Sequence, residues 1–219
     1  MNLNHYNTIL NTIPPHVKLV AVSKMRPIEQ IQTLYNVGHR VFGENRPQEM
    51  KAKYEALTKD IEWHFIGHLQ SNKIKYIAPF ASLIHSIDSF SLLQEVNRYA
   101  EKNNRIIPCL LQFFIAQETS KYGLSWEECA EMLESPAFST LKNINIVGVM
   151  GMATFTDDKA LIRKEFKKLY GYFVQLKEKY FSNHPDFKEI SMGMSEDYDI
   201  AIEEGSTIVR IGSAIFENS

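Results

Sequence analysis

Two cations stand among apolar neighbours in this chain, and each poses a chemical question. Lys24 follows Leu-Val-Ala-Val-Ser. An ammonium there either reaches water from the end of a strand or sits partly desolvated, where it loses its proton more easily and can attack a carbonyl as a Schiff-base amine. Lys121, in Glu118-Thr119-Ser120-Lys121-Tyr122-Gly123, competes for the same role. Arg210 lies between Val209 and Ile211, keeps its charge, and so needs a carboxylate, a carbonyl or a ligand as acceptor. Ser191-Met192-Gly193-Met194-Ser195 and Gly212-Ser213 are turn-forming strings. Ser195 is placed to cap a short helix opening with Glu196 and Asp197, and free amides at such an end suit a phosphate; equally, Ser195 only caps and Gly212 only turns the chain. Glu196 and Asp197 repel an anion unless they point outward.

Other chemistries fail on residue type or spacing. His64 and His68 are separated by a strand context and Gly67, with no third ligand in view, so they read as core or hydrogen-bonded histidines rather than a metal pair. Gly193-Met194-Ser195-Glu196-Asp197 lacks the second glycine of a nucleophile elbow, and no Walker lysine is present. Cys109 and Cys129 have neither metal nor redox spacing and read as buried, inert thiols. The Lys51/Lys53 and Lys73/Lys75 pairs read as solvated helix faces. With 24 Lys+Arg against 26 Asp+Glu there is no positive field to gather nucleic acid or an anionic membrane. The longest apolar run, Ile106 to Ala116, is interrupted by Pro108 and Gln112 and falls short of the roughly 20 residues a spanning helix needs; the N-terminus does not resemble a secretory signal. A cytoplasmic monomer is expected.

The elements that must position these residues alternate along the whole chain. Eight apolar, β-branched runs predict strands: Leu19 to Val22, Arg40 to Gly43, Glu62 to Ile66, Ser82 to Ser86, Ile106 to Phe113, Ile144 to Met150, Glu189 to Met192 and Thr207 to Ile211. Between them, Ile162, Phe166, Leu169, Tyr170, Phe173 and Leu176 form one helical stripe after Asp158. Ser125 and Glu128 make a capping box, Pro27 and Pro47 suit first helical positions, and Gly205 suits the left-handed residue after a helix ending at Glu204. Strand–helix alternation means a parallel sheet with right-handed crossovers. No Gly-x-Gly-x-x-Gly turn follows the first strand, since Ser23-Lys24-Met25-Arg26-Pro27 occupies that place, so a dinucleotide fold loses its support. The expectation is one domain over residues 1–219: an α/β, (β/α)8 TIM barrel with an additional N-terminal helix, its reactive face at the carboxyl ends of the strands.

Val22-Ser23-Lys24, Gly43-Glu44-Asn45, the segment from Trp63 to Lys73 (Trp-His-Phe-Ile-Gly-His-Leu-Gln-Ser-Asn-Lys), Ser191 to Ser195, and Gly205 to Gly212 together resemble the pyridoxal phosphate homeostasis protein family, itself similar to the N-terminal barrel domain of alanine racemases. The matches run in order from Val22 to Phe216. The resemblance implies a pyridoxal 5′-phosphate (PLP) cofactor held as a Schiff base on Lys24. It implies a phosphate taken by groups around Met194, Ser195, Gly212 and Ser213, Arg210 facing the pyridine nitrogen, and Asn45 and His64 lining the pocket near the ring. Ser191 and Met192 complete the implied binding set; no catalytic residue and no metal are expected. Arg46-Pro47, Phe113-Phe114 and Glu217 depart from the family's usual residues.

The implied role is a non-enzymatic carrier in intracellular PLP homeostasis, releasing its cofactor to PLP-requiring apoenzymes. The alternatives are a PLP-dependent amino-acid racemase and, more remotely, a cofactor-free Schiff-base enzyme. Two-base racemisation needs an acid/base on each face of its substrate, the second supplied in racemases by an additional domain; here seven residues follow Gly212.

Overall fold

The computed structural model describes residues 3–117 and 122–216; Lys121 and Glu217 lie outside the described residues. The eight apolar runs form eight parallel strands: β1 Lys18–Val22, β2 Val41–Glu44, β3 Glu62–Phe65, β4 Leu83–Ile87, β5 Ile107–Gln112, β6 Ile144–Met150, β7 Glu189–Ser191 and β8 Ile208–Ile211. They pair in chain order, and β1 closes on β8 from Lys18↔Ile208 to Ala21↔Ile211, giving the expected closed barrel. Around it stand α1 Leu3–Thr12, α2 Ile28–Asn36, α3 Pro47–Ala56, α4 Phe90–Lys102, α5 Trp126–Glu134, α6 Lys159–Lys179, α7 Tyr198–Glu203 and α8 Ser213–Phe216. The additional helix α1 packs against α8, and the crossover after β3 is a short three-ten helix, Ser71–Tyr76.

Side chains that alternate along each strand divide the core in two. Outward residues such as Phe42, Trp63 and Phe65 meet the helices, joined there by Phe166 and Phe187; inward Val20, Leu83, Leu110, Met150 and Ile208 fill part of the barrel. The helix signals read from the sequence hold at α5, where Ser125 and Glu128 form the capping box, and at α6, where Asp158 accepts from the amides of Ala160 and Leu161. Pro47 opens α3, whereas Pro27 stands one residue before α2, in extended backbone at its cap. Gly205 adopts a φ of +94°, ending α7 in the left-handed region.

Ser195 caps nothing. Helix α7 starts at Tyr198, Asp197 occupies the cap position, and the Ser195 hydroxyl instead accepts from Ser213 Oγ at 2.9 Å. Lys53 is likewise not solvated. It is buried and holds three acceptors beneath the β1–α2 turn, because a lysine on the inner side of α3 meets two carboxylates there.

Candidate functional site

A chain of polar groups crosses the barrel interior. Arg210 Nη1 donates to Ser191 Oγ at 2.5 Å and Nη2 donates to the Gly151 carbonyl at 3.1 Å, just past β6. Ser191 Oγ lies 2.9 Å from His85 Nδ1, and His85 Nε2 lies 3.0 Å from His64 Nδ1. Arginine only donates, so Ser191 receives from Arg210, and among the described residues His85 Nδ1 is the one acceptor left for the Ser191 proton. The His85 proton then sits on Nε2 and goes to His64 Nδ1. Burial keeps both rings neutral: His64 is pulled down to about 3, and His85 well below the ordinary 6.5 by burial first, with repulsion from His64 were it protonated and from the Arg210 cation adding to it. Burial also lowers Arg210 to about 10, partly opposed by the nearby Asp197 carboxylate. A carbonyl and a hydroxyl are its hydrogen-bond partners, and no ion pair to Arg210 exists among the described residues.

Around the carboxyl-end rim the closed strand order puts the turns after β7 and β8 next to Lys24 after β1. Among the described residues the amides of Ser195, Glu196, Ser213 and Ala214 have no acceptor, and the two serine hydroxyls meet between them. Four unpaired donors and two hydroxyls are what an anion needs. Asp197 turns inward, its Oδ1 accepting the Met194 amide at 2.6 Å, so that amide is committed, while Glu196 is exposed. Gly193 permits this arrangement: a Cβ there would lie 2.6 Å from Ala201 Cβ. Gly212 packs against Val22, and Met192 is fully buried in the outer core, so only its backbone reaches the turn. Lys24 is exposed and has no hydrogen-bond or ion-pair partner among the described residues. Asn45 lines a cleft of about 480 Å³ between the segments after β2 and β3, with its Oδ1 buried and unpartnered.

The geometry does not bring His64 to this rim. It lines a separate cleft of about 200 Å³ with Lys18, Glu62 and Lys188, at the amino-terminal mouth, because it stands near the middle of β3 and points inward. Its link to Arg210 runs through His85 and Ser191, and His85 escaped the sequence reading. The available signal was a histidine in phase with Leu83 and Ile87 in a strand whose other residues, apart from Ser86, are apolar. His68 hydrogen-bonds Asp88 at 3.1 Å, and no metal-holding cluster occurs among the described residues. Cys109 and Cys129 are buried, and burial raises both thiols, Cys129 to about 12.

The family model described as "Alanine racemase, N-terminal domain" matches residues 3–219. A pyridoxal phosphate homeostasis protein of Aquifex aeolicus is 41% identical over 200 residues, covering 91% of this chain and 86% of that one. The chain belongs to the pyridoxal phosphate homeostasis protein family. Another member, from Synechocystis, is 38% identical over 96% of this chain and 95% of its own. Among solved structures, PipY of Synechococcus elongatus without PLP superposes with a TM-score of 0.91 at 32% identity, covering 98% of this chain and 99% of that one. The same protein with PLP bound gives a TM-score of 0.87. Alanine racemase of Bartonella henselae, at 17% identity and a TM-score of 0.70 over 57% of its length, shares the barrel fold. The family's barrel is thus the one described above, and no described helix is long and apolar enough to cross a membrane.

Proposed function

We propose that this chain is a PLP-binding protein of intracellular PLP homeostasis, with residues 1–219 as one binding domain and Lys24 as the amine that holds the cofactor's aldehyde as a Schiff base. The observation that carries the reading is the order around the rim: unpaired amides and hydroxyls after β7 and β8, then the exposed amine of Lys24 after β1, with Arg210 held inside the barrel by Ser191 and Gly151. PipY, bound to PLP in one of its structures, shares this fold across nearly the whole chain. When bound, the cofactor supplies an aldehyde and an electron-withdrawing ring. The residues of this chain do the rest. Ser195 and Ser213 with their neighbouring amides would hold the phosphate, and Lys24 would present its amine to the aldehyde. Arg210, already holding Ser191 and Gly151, would offer its remaining N–H groups to the ring nitrogen. Met194, Gly212, Ser191 and Met192 contribute through backbone shape and by holding Arg210.

We infer a carrier that gives its cofactor to PLP-requiring apoenzymes in the cytoplasm and acts as a monomer, rather than a catalyst. A donor-only arginine at the ring nitrogen would keep that nitrogen unprotonated and would weaken the ring as an electron sink. An exposed Lys24 also leaves the amine open to water, which suits exchange. Hydride reduction of the protein–PLP mixture followed by peptide mapping tests the site: the label is expected on Lys24, and label on Lys121 overturns the assignment. Lys24→Ala is expected to abolish the trapped adduct while retaining part of the phosphate affinity. The racemase alternative predicts α-deuteration and D-isomer when L-amino acids are incubated with loaded protein in deuterated water; turnover there overturns the carrier reading.

A further inference from the structure

We propose that Glu44, Glu49 and Lys53 are positioning residues for Lys24, gripping the turn that carries it from both sides; the proposal rests on Lys24 being the aldehyde-capturing amine. Lys24 sits between two anchored neighbours. On one side the Ser23 carbonyl accepts from Lys53 Nζ at 2.7 Å, and Ser23 Oγ donates to Glu44 Oε1 at 2.6 Å. On the other side the Met25 amide donates to Glu49 Oε1 at 2.6 Å. Lys53 ties the two sides together, donating to Glu44 Oε1 and Glu49 Oε1, each at 2.7 Å. Its three protons thus meet three acceptors drawn from the β1–α2 turn, the end of β2 and helix α3.

Two features set this cluster apart from an ordinary core ion pair. Met25 has a φ of 60°, an uncommon conformation for a residue with a side chain, and that side chain is 75% exposed. Its own packing therefore does not hold it there; the Arg26 amide, which closes the turn on the Ser23 carbonyl at 3.0 Å, and the Met25 bond to Glu49 do. Secondly, Glu44 is fully buried and Lys53 nearly so, and a buried ion pair is often no more stabilising than apolar residues of the same volume. What the charged cluster supplies beyond an apolar plug is direction: it defines where the backbone on each side of Lys24 lies, and so where the amine is aimed.

The test compares two ligands on the full chain. Capture of PLP is followed by the visible absorbance of the imine and by hydride trapping. Binding of 4′-deoxypyridoxine 5′-phosphate, which keeps ring and phosphate but has no aldehyde, is followed by calorimetry. Glu49→Ala and Lys53→Met are expected to slow capture by about ten- to a hundredfold, the cost of a misaimed reacting group, with deoxypyridoxine phosphate affinity unchanged. Glu49→Gln, which keeps an acceptor for the Met25 amide, is expected to recover part of the rate. Unchanged capture in folded Glu49→Ala, or equal losses for both ligands, overturns the positioning role. If Lys53→Met fails to fold, the two Glu49 variants decide. Wild-type protein that captures no aldehyde, or capture that survives Lys24→Ala, overturns the assignment of Lys24 and this proposal with it.

Discussion

A buried arginine dictates more than its own contacts. Because Arg210 cannot accept and the Ser191 proton has only His85 Nδ1 to meet among the described residues, pairing every proton directs the chain down to His64 and puts both histidine protons on Nε2. Nitrogen-15 NMR of histidine-labelled protein at neutral pH checks this directly; a protonated Nδ1 on His85 contradicts the derived direction. Ser191→Ala removes the link between Arg210 and His85 and leaves His85 Nδ1 buried without a donor. The expected cost is about 1–3 kcal/mol by urea unfolding, together with weaker PLP binding as Arg210 loses one of its two fixed points. At this scale the sequence was partly legible. Lys24, Arg210, Ser195 and Ser213 stand out as polar residues at strand ends, but the burial of Lys53 was not, since a lysine in a helix reads as solvated until its neighbours in space are known.

Among the elements, the turn between β7 and α7 depends on a missing side chain. Gly193 has a φ of +97°, and an added Cβ would press on Ala201 Cβ and, at 3.0 Å, on Tyr198 Cα. Gly193→Ala is expected to cost about 2–4 kcal/mol through backbone strain and overpacking, measured by urea unfolding, and to weaken phosphate binding because α7 must move away from the turn. Asp158→Ala at the start of α6 is expected to cost only about 1 kcal/mol, the usual value of an N-cap, with ligand binding untouched. Strand and helix positions were readable because periodicity and capping are local. The start of α7 was not: Asp197 accepts the Met194 amide, leaving Ser195 free to meet a serine 18 residues away.

For the molecule as a whole, the two neutral histidines make stability depend on pH. Their pKa values are lower folded than unfolded, so below about 6.5 the unfolded chain takes up protons that the barrel refuses, and stability falls as pH falls toward 3. Each histidine contributes a slope of about 1.4 kcal/mol per pH unit across that window. Glu44 and Asp197, both raised by burial, act in the opposite sense, because acid neutralises them. The clean measurement is therefore a difference: the stability lost between pH 7 and pH 5 is expected to shrink by up to about 2 kcal/mol in His64→Gln, and an unchanged loss contradicts a neutral buried His64.

The sequence by itself determined the alternation of strand and helix, the absence of a dinucleotide turn, and the residue types offered at the strand ends, because each is encoded within a few neighbouring positions. Only the tertiary structure decided which of those residues share a mouth. Barrel closure brings β8 against β1, joining the turn after β8, nearly 190 residues from Lys24 in the chain, to its side. The inward pleat of β3, meanwhile, sends His64 to the opposite end, reaching Arg210 only through His85 and Ser191. Distance in the chain carries no information about such meetings; strand register and the pointing of alternate side chains do.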